Sequence, residues 1–119
     1  MYQGHFNLGK KEGHGILAWP DGEKYDGQWL NDKMHGRGVY HFSDGCVYQG
    51  YFNLGKKEGY GILAWPDGEK YDGQWLNDEM HGEGVYHHTD GRVYKGHFHY
   101  GNKEGHGILT WPDGEKYEG

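Results

Sequence analysis

The sequence predicts an all-β fold, an elongated single antiparallel meander sheet of tandem β-hairpin repeats, twisted and curved around an aromatic groove. Three observations carry this prediction. Tyrosine recurs every 23 residues, at Tyr2, Tyr25, Tyr48, Tyr71, Tyr94 and Tyr117. An Asp-Gly step recurs at the same interval, from Asp21-Gly22 to Asp113-Gly114. Around each step the side chains alternate with period two, as in a strand that has one apolar and one wet face.

The repeats span residues 2–24, 25–47, 48–70, 71–93 and 94–116, with a partial sixth at 117–119, so residues 1–119 form one continuous array. In each unit Gly follows the Tyr by two positions and Trp or Phe follows by four, as in Tyr25-x-Gly27-x-Trp29. A Gly-x-Gly pair comes next, then the Asp-Gly step. With Gly9, Gly55 and Gly101, these positions account for all 24 glycines, so none is spent on a flexible linker. A second period of 46 residues overlies the first and divides odd repeats from even ones: residues 6–32 and 52–78 differ only at His14 versus Tyr60.

Trp19-Pro20-Asp21-Gly22-Glu23 is a hairpin signal. Pro20 presets the first turn position, and Gly22 accepts positive φ as the bulge residue. The predicted register sets Trp19 against Glu23, Leu17 against Tyr25 and Gly15 against Gly27. The opposite connection, Asn7 to Glu12 and its equivalents, reads as a longer polar loop. The result is about ten strands, and at ~4.8 Å per strand a ribbon roughly 48 Å long.

Alternation places every aromatic residue except Tyr51, Tyr60 and Tyr100 on one face, with glycines between the rings. The other face carries Lys24, Asp26, Gln28, His41, Lys70, Asp72 and Gln74. With 34% hydrophobic residues the chain is short of aliphatic material for a two-layer core, and its 17% aromatic content is the substitute. Such aromatic richness also sets the chain apart from disordered Gly-rich sequences.

Tyr-x-Gly-x-Trp/Phe, a variable loop, Gly-x-Gly and Asp-Gly, in register five times, resemble the MORN repeat family over the whole chain. The resemblance implies an elongated single-sheet array that docks partner proteins, often an extended or helical segment in its groove, and organises membrane-associated or cytoskeletal assemblies. One departure is His88, which stands where Trp19, Phe42, Trp65 and Trp111 stand in the other repeats.

The expected function is therefore a non-catalytic protein-interaction scaffold that receives a partner peptide or helix in the groove formed by Trp19, Tyr25, Trp29, Tyr48, Phe52, Trp65, Tyr71 and Trp75. The alternative is a phospholipid-associated tether that uses a lysine-bearing loop edge of Lys10, Lys11, Lys56, Lys57 and Lys103. Acidic neighbours and a net charge of −6 weigh against that edge, and against nucleic acid as a partner. No catalytic residues, metal ligands or cofactor are expected. The repeated Asp residues are explained by their turns, and His97 and His99, which share the polar face with Glu83 opposite His97, read as solvated strand residues. His14, His35, His81 and His106 read as part of the loop geometry. The lone Cys46 and the absence of a signal-like start suggest a cytoplasmic protein, with membrane or cytoskeletal association possible through the array. Uncapped edge strands suggest homo-oligomeric, end-to-end association or a longer parent chain.

Overall fold

A computed structural model describes residues 1–119. Eleven strands follow one another without a crossover: β1 (Tyr2–Asn7), β2 (Lys10–Ala18), β3 (Lys24–Leu30), β4 (Lys33–His41), β5 (Val47–Asn53), β6 (Lys56–Ala64), β7 (Lys70–Leu76), β8 (Glu79–His87), β9 (Val93–His99), β10 (Asn102–Thr110) and β11 (Lys116–Glu118). All form one antiparallel sheet of 55 × 25 × 16 Å. The partial sixth repeat supplies the strand beyond the expected ten. The array is somewhat longer than the strand-spacing estimate.

The Asp-Gly turns form as the sequence predicts. Trp19 N–H donates to Glu23 O (2.9 Å), Gly22 N–H donates to Trp19 O (3.1 Å), and Gly22 takes φ +97°. Asp21 Oδ1 accepts the Glu23 N–H at 2.9 Å and closes the loop. The register is Gly15↔Gly27 and Leu17↔Tyr25.

The opposite connection is not a long loop. β1 and β2 are joined by Leu8-Gly9 alone, with φ +52° and +80°, and β3 and β4 by Asn31-Asp32, with φ +48° and +68°. Positive φ at both central residues marks type I′ turns, whose twist suits a two-residue hairpin. Residues expected in the loop are therefore strand residues. The extra length is absorbed inside the sheet as a bulge: between Gly27↔Gly38 and Trp29↔Met34, Gln28 alone faces His35, Gly36 and Arg37. Gly36 adopts φ +78°, and the same irregularity recurs in every repeat. His35 and His81 accordingly belong to bulges in β4 and β8, and His14 lies in β2 opposite Gln28.

These bulges bend each nine-residue strand around the aromatic face. A straight strand of that length would reach about 30 Å, more than the 25 Å second dimension of the array. The bend encloses a core in a single-layer sheet. Only 14 of 119 residues are buried, and apart from Cys46 and glycines they are Tyr25, Trp29, Tyr48, Phe52, Tyr71, Trp75, Tyr94 and Phe98.

The fixed residues of the repeat are explained by one packing unit. Tyr25 lies over Gly27 and Gly38, and its hydroxyl donates to Gln28 O at 2.9 Å. A Cβ on Gly27 would lie 2.4 Å from the Gly38 Cα, and one on Gly38 would lie 2.2 Å from the Tyr25 hydroxyl, so neither position admits a side chain. Trp29 stands edge-on to Tyr25 (5.1 Å) and to Tyr2 of the preceding repeat (5.6 Å), while its Nε1–H donates to Gly15 O (3.0 Å). Tyr48 with Phe52 and Trp75, and Tyr71 with Trp75 and Phe98, repeat the edge-to-face pattern at 5.0–5.4 Å. Each such pair is worth about 0.5–1.5 kcal/mol beyond its buried area.

Candidate docking face

The aromatic face has two layers of exposure. Six of the eight residues expected to form the groove, Tyr25, Trp29, Tyr48, Phe52, Tyr71 and Trp75, are 0–6% exposed and belong to the core. Their edges are closed by neighbouring rings, so the bent strands leave them little surface to offer. Trp19 and Trp65 remain partly exposed, packed on the core from outside. Tyr40, Phe42, Leu17, Leu63 and Tyr86 share this position. Trp19 meets Tyr40 at 5.7 Å, Tyr40 meets Phe42 at 4.7 Å, and Trp65 meets Tyr86 at 5.6 Å.

The stripe thus continues through Tyr40, Phe42 and Tyr86, which sequence reasoning put on the right face without assigning them to the groove. Their place after the Gly-x-Gly pair, equivalent to Leu17 and Trp19, was the available signal. Tyr40 is anchored by donating its hydroxyl to Glu23 Oε1 (2.5 Å), and Tyr86 by donating to Glu69 Oε1 (2.5 Å). Burial, then these carboxylates, push both phenols well above the usual tyrosine range, so both remain donors at neutral pH. A hollow of about 310 Å³ opens where Leu17, Trp19, Met34 and Leu54 meet, with Lys11, Asp32 and Lys33 also lining it.

The five lysines do not form one loop edge. Lys10 and Lys56 are exposed first residues of β2 and β6. Lys11, Lys57 and Lys103 pair with Phe6, Phe52 and Phe98, which sets them on the aromatic face. The Lys57 Nζ lies 5.1 Å from the Phe42 ring centre, 5.6 Å from Tyr48 and 5.7 Å from Trp75, and 3.7 Å from Asp78. Lys11 repeats this over Tyr2 and Trp29 with Asp32, and Lys103 lies over Tyr94 and Tyr86. Met34 and Met80 occupy the same position in even repeats, opposite Trp29 and Trp75.

The opposite face carries ionisable groups in hydrogen-bonded pairs. His14 Nε2 lies 2.8 Å from Asp26 Oδ1, and the Tyr60 hydroxyl donates to Asp72. A hollow of about 750 Å³ on this face runs from Tyr60 and Asp72 past Glu83, Lys95 and His97 to His106. Glu83 faces His97 as the register predicts. No three His, Cys, Asp or Glu side chains converge in a way that could hold a metal ion.

Alsin of Mus musculus and Alsin of Homo sapiens are each 44% identical over 39 residues, 33% of this chain and 2% of theirs. The chain thus corresponds to only a small part of these relatives. Among solved structures, the wild-type TCP10 domain of Danio rerio CPAP, in complex with a peptide of Danio rerio STIL, aligns with 99% of this chain and 59% of its own. The identity is 15% and the TM-score 0.38. The MORN repeat signature matches residues 2–24, 25–47, 48–70, 71–91 and 94–116. With consecutive matches over nearly its whole length, the chain belongs to the MORN repeat family.

Proposed function

We propose that the chain is a non-catalytic protein-interaction scaffold that holds an extended or helical partner segment along its aromatic face. Repeats of this family mediate protein or membrane interactions. The observation that favours a protein partner is the stripe of Trp19, Tyr40, Phe42, Trp65 and Tyr86, partly exposed and seated on a rigid ring core. Large aromatic side chains on a preorganised base are the residues that dominate interface energetics. The buried rings Tyr25, Trp29, Tyr48, Phe52, Tyr71 and Trp75 support this stripe from beneath. The lysines favour a lipid surface less, because Lys11 and Lys57 lie over rings and pair with Asp32 and Asp78.

A phage-displayed library of random peptides tests the reading. A length of about 16 residues would span the 55 Å array when extended. Selected peptides are expected to carry bulky apolar residues and to lose affinity for a Trp19→Ala, Trp65→Ala variant, while a Lys10→Glu, Lys56→Glu variant binds normally. Retained binding by the first variant and lost binding by the second would assign the function to the lysines instead.

A further inference from the structure

On the face opposite the rings, charge changes sign along the array. The 46-residue period sets Arg37 at the same place as Glu83, and Gln49 at the same place as Lys95. Arg37 lies in β4 opposite Tyr51, and Glu83 lies in β8 opposite His97. Asp26 lies in β3 opposite Val39, and Lys95 lies in β9 opposite Val85. Between these halves runs β6, whose Tyr60 is 50% exposed. Tyr60 lines two hollows of this face, one of about 750 Å³ that reaches Glu83 and Lys95, and one of about 400 Å³ that reaches Asp26 and Arg37.

The chain itself does not use these charges. Arg37, Glu83 and Lys95 are exposed and join no ion pair. The Arg37 guanidinium only lies 5.6 Å from the Tyr51 ring centre. Asp26 meets His14 at 2.8 Å, and its side chain remains 42% exposed.

Their placement is symmetric about β6. β4 and β8 stand two strands to either side of it, and β3 and β9 three strands. A two-fold axis parallel to β6 therefore lays β4 of one copy over β8 of another and β3 over β9, with each residue at its own level along the strand. Arg37 then meets Glu83, Asp26 meets Lys95, and symmetry makes each contact twice. Lys24 and Lys70 fall over Val93 and Val47, and Asp72 falls over Gln49, so no lysine or carboxylate meets its like. At ~4.8 Å per strand the four charged residues lie within about 15 Å of the axis, and the roughly 10 Å between stacked sheets is a gap that long charged side chains bridge. Had positions 37 and 83 held the same residue, the same turn would set like charge against like.

We propose that this face pairs with a second copy of the chain, turned over about β6, with Arg37 of each copy against Glu83 of the other. A surface that fits this sign pattern must carry the opposite signs in reversed order at the same spacing, and the chain turned over is such a surface. The 55 × 25 Å outline is larger than the roughly 800 Å² per partner that a standard interface buries. Both aromatic faces point outward in this pair, so the proposal does not depend on the docking reading.

Analytical ultracentrifugation of the full chain over a range of concentrations tests it. Wild type is expected to form a dimer. Arg37→Glu sets carboxylate against carboxylate, Glu83→Arg sets guanidinium against guanidinium, and each alone is expected to weaken the dimer about tenfold or more. Both positions are exposed, and each substitution copies the residue that the fold already holds 46 positions away; circular dichroism checks the fold. Mixed in equal amounts, the two single variants are expected to form a heterodimer about as tight as the wild-type dimer, because every contact again joins opposite charges. A wild type that stays monomeric at every concentration would overturn the proposal. So would self-association that neither single variant weakens, which would point to the edge strands instead. Loss of the dimer in both single variants without recovery in their mixture would likewise overturn the pairing of Arg37 with Glu83.

Discussion

Tyr25, Tyr48 and Tyr71 on one side, and Trp19, Phe42 and Trp65 on the other, share a sheet face, a residue class and a 23-residue spacing, yet the structure uses them differently. The tyrosines are 0% exposed, each lying on paired glycines with its hydroxyl bonded to a carbonyl three residues on. The second group rests on that core with one side open. In a single-layer sheet, the position of a ring relative to the bend decides whether it is core or surface. The bulge at each Gly-x-Gly pair makes the bend.

The largest expected effect is on the inner row. Tyr48→Ala removes a ring that meets Phe52 and Trp75 edge-on and uncovers Gly50 and Gly61, so a loss of about 3–5 kcal/mol in urea unfolding is expected. Gly50→Ala tests the other half of the unit, since the new Cβ would lie 2.5 Å from the Gly61 Cα. A loss of about 1–3 kcal/mol or more is expected by circular dichroism, and an unchanged melting point would refute the close approach.

Titration separates the two rows less strongly. Burial raises Tyr25 and Tyr48 far above the ordinary tyrosine value and pushes Tyr71 up to about 12. The folded state therefore holds these protons more tightly than the unfolded chain, whose tyrosines ionise near pH 10. The stabilisation is complete below about pH 10 and is lost as pH rises through the folded values. Thermal scans should be level to about pH 9 and fall steadily above about pH 10. A melting temperature still level near pH 12 would contradict the burial of the phenols. The smallest effect is expected from Lys57→Met, which installs the side chain that Met34 and Met80 supply at the same position. A change within about 1 kcal/mol is expected, and a loss above about 3 kcal/mol would show that the ammonium itself supports the core.

Much of this was legible in the sequence. The hairpin register, Leu17 opposite Tyr25 and Gly22 at positive φ follow from local chemistry repeated five times. The opposite turn was harder to read. Asn31-Asp32 is a good type I′ pair, but Leu8, Leu54 and Tyr100 take positive φ against their own preference and hid the signal in odd repeats. Reading Asn7 to Glu12 and its equivalents as a polar loop moved Lys11, Lys57 and Lys103 to an edge, when they cover rings. It also left the division of the aromatic face unseen. Period-two alternation reports which face a residue occupies and says nothing of how far the strand curls over it.

The division of one face into a core row and a docking stripe is tested most directly by measuring equilibrium unfolding of Trp75→Ala and Trp65→Ala side by side. Trp75 is 6% exposed, lies between Tyr48 and Tyr71, and donates to Gly61 O at 3.1 Å; Trp65 is partly exposed and meets Tyr86 alone among the rings. The expected loss is about 3–5 kcal/mol for Trp75→Ala and about 1 kcal/mol for Trp65→Ala. Equal losses would mean that both indoles belong to the core and that the face holds no separate surface for a partner.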